Sequence, residues 1–277
     1  MALWQTTRFR LDLTRPLVMG IVNNTPDSFS DGGHHHSVTA ALRHAEKLLK
    51  DGAHILDIGG ESTRPGSPAV PLEEEMRRVL PFVQAAVQFG VPISVDTYKA
   101  QVMQAVLDAG ADIINDVWAL RQSGAQSVVA NHPQCGVVLM HMHKTPQDMQ
   151  QTPMQGDAVA QVQDFLAQQT QALLALGVER QRIVWDYGIG FGKTVAQNFA
   201  LLAQQAALTR QGFALLAGWS RKSSLGQVTN LSVEERMVPS VAAAVLAVER
   251  GARIVRVHDV AETVSALAVW QAMHDNG

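Results

Sequence analysis

Eight short stretches of the chain are almost continuously apolar and rich in valine, isoleucine and leucine: Leu17–Asn23, His54–Gly60, Pro92–Thr97, Ile113–Val117, Val137–His143, Ile183–Gly188, Ala214–Arg221 and Ile254–Asp259. A strand with one solvated face alternates apolar and polar residues, whereas an unbroken apolar run reads as a strand covered on both faces. Segments with helical spacing lie between the runs. In Thr39–Gly52, the residues Ala41, Leu42, Ala45, Leu48 and Leu49 share a face, and Gly52 supplies the stop. Glu73–Phe89 before Gly90, Gln101–Ala109 before Gly110, Asp157–Leu176 before Gly177 and Val238–Arg250 before Gly251 read the same way. The runs begin about every 34 residues, a plausible length for one strand-loop-helix-loop unit. Eight such units with right-handed crossovers predict a (β/α)8 TIM barrel, with an open doubly wound sheet as the competitor. No Pro/Ser-rich linker or shift in composition divides the chain, so one domain over 1–277 is expected. Weak alternation in Trp4–Thr14 predicts an N-terminal β-hairpin closing the barrel bottom.

Composition narrows the classes. The 277 residues are 47% hydrophobic and 17% charged, enough apolar content for a packed core and against disorder. A net charge of −3 offers no basic footprint for nucleic acid or an anionic membrane. The single cysteine, Cys135, excludes an internal disulfide framework and fits a reducing compartment, with a structural role as its default. The N-terminal residues carry charges without an apolar core of a signal peptide, and no run approaches the roughly 18 apolar residues of a membrane helix. A cytoplasmic protein without nucleic-acid or membrane partners is the expectation.

The position of the polar residues is more informative than their number. Each run ends in residues that a buried strand does not need: Asn23, the group Glu61, Ser62, Thr63 and Arg64, then Asp96, Asn115, His141 with His143, Asp186, Ser220 with Arg221 and Lys222, and Arg256 with His258. In a barrel these ends converge on the rim that carries the active site. Asp96, Asn115 and Asp186 offer acceptors suited to a flat ring with an amidine or guanidine edge; a metal cluster is the alternative use of the same residues. Arg256 and His258, two apart on one strand, point the same way and form an anion clamp, most simply for phosphate; an Arg256 salt-bridged to a rim acid is the alternative. Asn23 ends the first strand, beside the eighth, and is placed to face the same anion directly or through Mg2+. The loops 24–33 and 61–71 exceed a minimal connection, and Phe29 on the first is placed either to cover a flat ligand or to pack under its own loop.

Other motifs fail on spacing. GIGFGKT resembles a phosphate loop, but Tyr187 stands where GxxxxGK[ST] needs glycine, and Lys193 stands where GxGxxG needs its third. His141 and His143 lack a third ligand at matching spacing, so hydrogen bonding is their expected role. His34–His36 reads as a solvated loop run.

The segments MGIVNNTPDSFSDGG, DIGGESTRPGS, ISVDTYKA, INDV, MHMH, DYGIGFGKT, GWSRKSSLG and RVHDV occur in that order over Met19–Val260. Together they closely resemble the bacterial dihydropteroate synthase family, folate-pathway enzymes inhibited by sulfonamides. The resemblance implies a TIM barrel, usually a homodimer, that joins 6-hydroxymethyl-7,8-dihydropterin diphosphate to 4-aminobenzoate. It implies that Asp96, Asn115, Asp186 and Lys222 hold the pterin and that Asn23 serves Mg2+. Arg256, His258 and Thr63 then contact the diphosphate, and Ser220, Lys222, Phe29 and Pro65, with Arg64 beside them, fall at the aminobenzoate pocket. Catalysis is expected to rest on Asp96, Lys222, Arg256 and His258. The chain departs from the family pattern at Asn24, at Tyr187 (usually proline) and at Trp219, and Tyr187 is expected to alter the turn after Asp186. A pterin-dependent methyltransferase on a similar barrel and a non-catalytic paralogue are the alternatives.

Overall fold

The computed structural model describes residues 2–23, 34–62, 66–145, 148–149 and 152–276, with side chains from Val38 onward in the second segment. The strands are β1 (Leu3–Gln5), β2 (Arg10–Asp12), β3 (Leu17–Asn23), β4 (Ile55–Gly59), β5 (Ile93–Asp96), β6 (Ile113–Asp116), β7 (Gly136–Met140), β8 (Ile183–Asp186), β9 (Ala214–Ala217) and β10 (Ile254–Val257). Strands β3 to β10 are parallel and close into a barrel in chain order, β10 pairing back onto β3, as the eight runs predict. Around it lie α1 (His34–Lys50), α2 (Leu72–Ala86), α3 (Ala100–Asp108), α4 (Ala125–Asn131), α5 (Ala158–Ala175), α6 (Val195–Ala203), α7 (Gln205–Thr209), α8 (Ser223–Thr229), α9 (Met237–Glu249) and α10 (Val260–Asp275). No helix among the described residues is long and apolar enough to cross a membrane.

The absence of alternation has a simple cause. Outward positions such as Val18, Leu56, Val95, Ile114, Leu139, Trp185, Leu215 and Val255 pack into one continuous core beneath the helices. Inward positions at the base are also apolar: Met19, Ile55, Ile113, Val138, Val184, Ala214, Leu216 and Ile254 form a second core inside the barrel. Both faces are therefore buried, as expected for parallel barrel strands.

The antiparallel pair β1–β2 plugs the lower end. Trp4 is fully buried in the inner core with Leu13, and its indole Nε1–H donates to the Arg182 carbonyl at 2.9 Å. A Cβ on Gly136 would stand 3.1 Å from both Thr6 Cγ2 and Trp4 Nε1, so glycine there gives the hairpin room. Trp4→Phe keeps most of the apolar area and removes this bond. It is expected to cost about 1–3 kcal/mol of stability with kcat unchanged, checked by urea unfolding and steady-state rates; a fall in kcat would place the plug in the chemistry.

The helix boundaries follow the spacing, with Asp157 capping α5 through the Val159 and Ala160 amides at 2.9 and 3.2 Å. One expectation is corrected. Residues 34–36 are the first turn of α1, which starts five residues before the apolar periodicity at Thr39 because the helix propagates through polar residues. Cys135 is buried at the lower end, where Arg182 bonds its carbonyl at 2.8 Å and its Sγ at 3.1 Å, a structural arrangement.

Candidate active site

Moving two residues up the inner face of each strand, about 7 Å along the barrel, changes the character of the interior. Ile55 is followed by Asp57, Ile113 by Asn115, Val184 by Asp186, Leu216 by Gly218 and Ile254 by Arg256. Register sets Asn23 beside Gly59, Gly59 beside Asp96, and Asp96 beside Asn115, in a row across β3–β6. The polar run ends thus meet at one mouth. An apolar wall faces this row. Val117, Met140, Met142, Met149 and Phe191 cluster there, joined by Trp118 and Tyr98, whose rings stack at 4.7 Å.

The centre of the mouth is an ion-pair network around Arg256. Its Nε donates to Asp57 at 2.6 Å and its Nη2 to Asp96 at 3.0 Å. Asp57 also accepts from Ser94 Oγ at 2.5 Å and from Asn115 Nδ2 at 3.3 and 3.4 Å. The alternative reading of Arg256, a guanidinium paired with a rim acid, is therefore the arrangement seen, although Nη1 has no partner among the described residues. Asp57 did not emerge from the sequence. It sits in the middle of an apolar run, not at its end, and a carboxylate at an interior strand position was the available signal.

The carboxylates differ in how they are satisfied. Asp96 keeps Oδ1 buried without a partner among the described residues, an acceptor left unused. Burial raises its pKa, Arg256 opposes the shift, and the neighbouring acids Asp57, Asp116 and Glu75 add to it. Asp186 Oδ1 accepts the Gly188 N–H at 2.7 Å, and a Cβ on Gly218 would stand 3.9 Å from its Oδ2, so that oxygen borders open space. Burial raises this carboxyl as well. Lys222 sets its ammonium 4.2 Å from the Phe191 ring centroid, and burial pushes its pKa down to about 8 despite Asp186. His258 is held down to about 3 by burial and by Arg256, so the ring is neutral. Ser220 Oγ accepts the His258 backbone N–H at 3.1 Å and pairs with Nδ1 at 2.9 Å. The neutral ring carries a single proton, and this contact fixes its orientation at the lip.

At the root of the second loop, Lys99 is buried between Glu61 and Glu75, and Tyr98 donates its hydroxyl to Glu61 at 2.9 Å. Thr63, Arg64, Pro65 and Phe29, with Asn24, lie outside the described residues. His141 is buried against Phe165 at 5.0 Å and its pKa falls to about 2 through burial and neighbouring cations, so it is a neutral core ring. Asp186 keeps its bond to the Gly188 N–H in the turn that contains Tyr187. Tyr187 is buried outside the barrel, its hydroxyl donating to Gln205 at 2.8 Å and accepting from Trp219 Nε1 at 3.3 Å. The two departures from the family pattern thus satisfy one another.

Residues 19–258 match the family described as pterin binding enzyme, and the chain belongs to that family. The dihydropteroate synthase of Neisseria meningitidis serogroup B is 48% identical over 279 residues, covering 99% of this chain and 98% of the relative. Two solved structures each align with a TM-score of 0.90. One is the Xanthomonas albilineans dihydropteroate synthase with 4-aminobenzoic acid, 52% identical and covering 96% of this chain and 95% of the other. The second is the Burkholderia cenocepacia dihydropteroate synthase complexed with 7,8-dihydropteroate, 51% identical over 99% and 97% of the two chains. Within the pterin-binding family the chain is an enzyme of the dihydropteroate synthase type, a transferase, which answers the choice left open by the sequence.

Proposed function

We propose that the mouth binds 6-hydroxymethyl-7,8-dihydropterin diphosphate below 4-aminobenzoate and joins them into 7,8-dihydropteroate, releasing diphosphate. The observation that carries this reading is the single step from apolar to acceptor-bearing residues inside the barrel, opposite a methionine-rich wall. That combination suits a flat ring with hydrogen-bond donors along one edge. Asp96 Oδ1, Asp186 Oδ2 and Asn115 meet the ring edge, and Lys222 reaches it from the start of α8. Arg256 Nη1 and the neutral His258 supply donors to the diphosphate above, with Thr63 assigned there by the family pattern. Ser220 and Lys222, with Phe29, Arg64 and Pro65 of the rim loops, are assigned to the aminobenzoate.

The chemistry needs little acid–base help. The arylamine nitrogen is neutral and nucleophilic at pH 7. It forms a C–N bond to the pterin methylene as the C–O bond to diphosphate breaks; the electron pair leaves with diphosphate and the ammonium proton passes to solvent. Positive charge spreading into the dihydropterin is stabilised by the Asp96 and Asp186 carboxylates, and the departing anion by the Arg256 and His258 donors.

Magnesium fits in one limited way. Among the described residues no group of three His, Cys, Asp or Glu side chains is placed to hold a metal ion. Asn23 projects its carboxamide oxygen toward Gly59, 4.0 Å from where a Cβ would stand there. One protein oxygen suits an ion that keeps its waters and takes substrate phosphates. Asn23 would hold it, and it would neutralise charge on the diphosphate.

We also read the chain as a homodimer. Helices α9 and α10 pack together and leave Val238, Leu246, Val269 and Met273 exposed, with Val238 at 67% and Val269 at 72%. Sedimentation equilibrium is expected to give twice the chain mass, and V238E a monomer.

The reading has a pH signature. Asp96 must be ionised to accept from the ring, and its raised pKa brings protonation up to about 7 as pH falls. Lys222 loses its charge above about 8. The plot of log kcat/KM, which reports the free enzyme, is expected to rise with near-unit slope to about pH 7 and to decline above about 8; a flat profile between pH 5.5 and 9 contradicts these roles. The direct test mixes both substrates with Mg2+ and follows product by mass spectrometry. One dihydropteroate and one diphosphate per turnover are expected; no product from the diphosphate, or product from the free alcohol, sinks the reading.

A further inference from the structure

The loop that joins β8 to α6 is the segment that resembles a phosphate loop in sequence and fails its spacing. A phosphate loop turns backbone N–H groups inward around an anion. Here the polarity is reversed, with carbonyl oxygens turned inward around an ammonium of the same chain. Lys193, 3% exposed, donates from Nζ to the carbonyls of Gly188 at 2.8 Å, Phe191 at 3.2 Å and His141 at 3.2 Å. Burial lowers its pKa to about 7 against the pull of Asp186, and in the protonated form all three donor positions of the ammonium are used. Two glycines make this closure possible. Gly188 lies at φ +66°, and a Cβ there would stand 1.9 Å from the His141 carbonyl oxygen; Gly192 lies at φ +71°, and its Cβ would stand 2.7 Å from His143 Cβ.

The residues that this ammonium ties down lead to the pterin. Gly188, whose carbonyl Lys193 holds, gives its N–H to Asp186 Oδ1. Phe191, whose carbonyl Lys193 also holds, sets its ring under the Lys222 ammonium. Gly190, between them, leaves room for the Lys222 chain: a Cβ there would stand 3.4 Å from Lys222 Cδ. From outside, Asn198 fixes the same loop by accepting the Gly190 N–H at 2.9 Å while donating to Ser224 Oγ at 2.8 Å.

We propose that Lys193 is a positioning residue of the pterin subsite, an internal cation that fixes the 188–191 backbone and through it the Asp186 carboxylate and the Lys222 ammonium. Lys193 touches no substrate in this account. Its removal is expected to act on the ring before the diphosphate contacts of Arg256 and His258, which stand on and just after β10, across β9 from this loop. The proposal rests on the assignment of ring and diphosphate to separate parts of the mouth.

The test compares wild type with Lys193→Met by titrating a fluorescent oxidised pterin and, separately, inorganic diphosphate with Mg2+, with circular dichroism and thermal unfolding of both proteins. Wild type is expected to bind both probes; if it does not, the assignment of the mouth fails before Lys193 is in question. Folded K193M is expected to bind the pterin roughly tenfold or more weakly, the scale of losing charge-assisted bonds, with diphosphate affinity within twofold of wild type. Unchanged pterin affinity, or equal weakening of both probes, overturns the positioning role; a lowered melting temperature with unchanged affinity would mark a purely structural residue. If K193M does not fold, Asn198→Ala carries the test, because it frees the Gly190 N–H from the buried outer side of the same loop and leaves the Lys193 ammonium in place. The same split between probes is expected there, and equal or absent loss overturns the proposal.

Discussion

Replacing Arg256 by methionine is expected to lower kcat/KM for the pterin diphosphate by roughly 10²–10³, the usual scale for losing one preorganised charge contact. The guanidinium has two jobs in this site, and the variant separates them. Its Nη1 is unpaired among the described residues and is proposed to serve the leaving diphosphate. Its other nitrogens neutralise Asp57 and Asp96. Loss of the cation removes a charge that lowers the Asp96 pKa, so this carboxyl rises further. A higher pKa means that ionisation is completed at a higher pH, and the acid limb of the kcat/KM profile moves upward. Circular dichroism should still report a folded barrel, since the apolar layers at the base and beneath the helices are untouched. A variant with near wild-type kcat/KM and an unmoved acid limb would refute both roles together.

Asp57→Asn is expected to show the second largest effect, at a residue with no proposed contact to substrate. The carboxylate is fully buried and serves Arg256, Ser94 and Asn115 at once. An amide has one acceptor oxygen in place of two, so one of these partners is left unsatisfied and Arg256 keeps only Asp96. Breaking an enclosed ion pair costs about 3–5 kcal/mol, and the 22% exposure of the Arg256 side chain reduces this toward about 2–3 kcal/mol by admitting water. Activity should fall roughly 10–100-fold as the guanidinium loses its fixed direction. Denaturant midpoints and steady-state rates measured on the same preparation check both. Full activity with full stability would mean that Asp57 is a spectator.

The barrel was legible because both faces of each strand are apolar at the base, and that leaves unbroken runs in the sequence. The mouth was legible because the runs end in polar residues, and eight ends in succession had no common structural use. Asp57 escaped the same logic. It occupies the first polar layer of β4, where the run continues apolar through Ile58 on the outer face, so the strand did not look finished. The sequence around Lys193 shows only the failed spacing of an anion-binding loop; the role of its ammonium depends on the His141 carbonyl, more than fifty residues away, which no local pattern records. The partners of Arg256 are similarly distant, Asp57 and Asp96 arriving from β4 and β5. Spacing alone pointed to the clamp with the rim ion pair as its alternative, and the closed barrel brings the ion pair together. Tyr187 and Trp219 looked like separate irregularities in the chain and are one contact in space.

The account stands on a ring bound within the acid row and an anion held above it in the same opening. Crystals soaked with a pterin and diphosphate, with Mg2+ present, measure this directly. The ring edge is expected within hydrogen-bonding distance of Asp96 Oδ1, Asn115 and Asp186 Oδ2, with the diphosphate against Arg256 and His258. Density for the pterin outside the barrel mouth, or for the diphosphate away from Arg256, would contradict it.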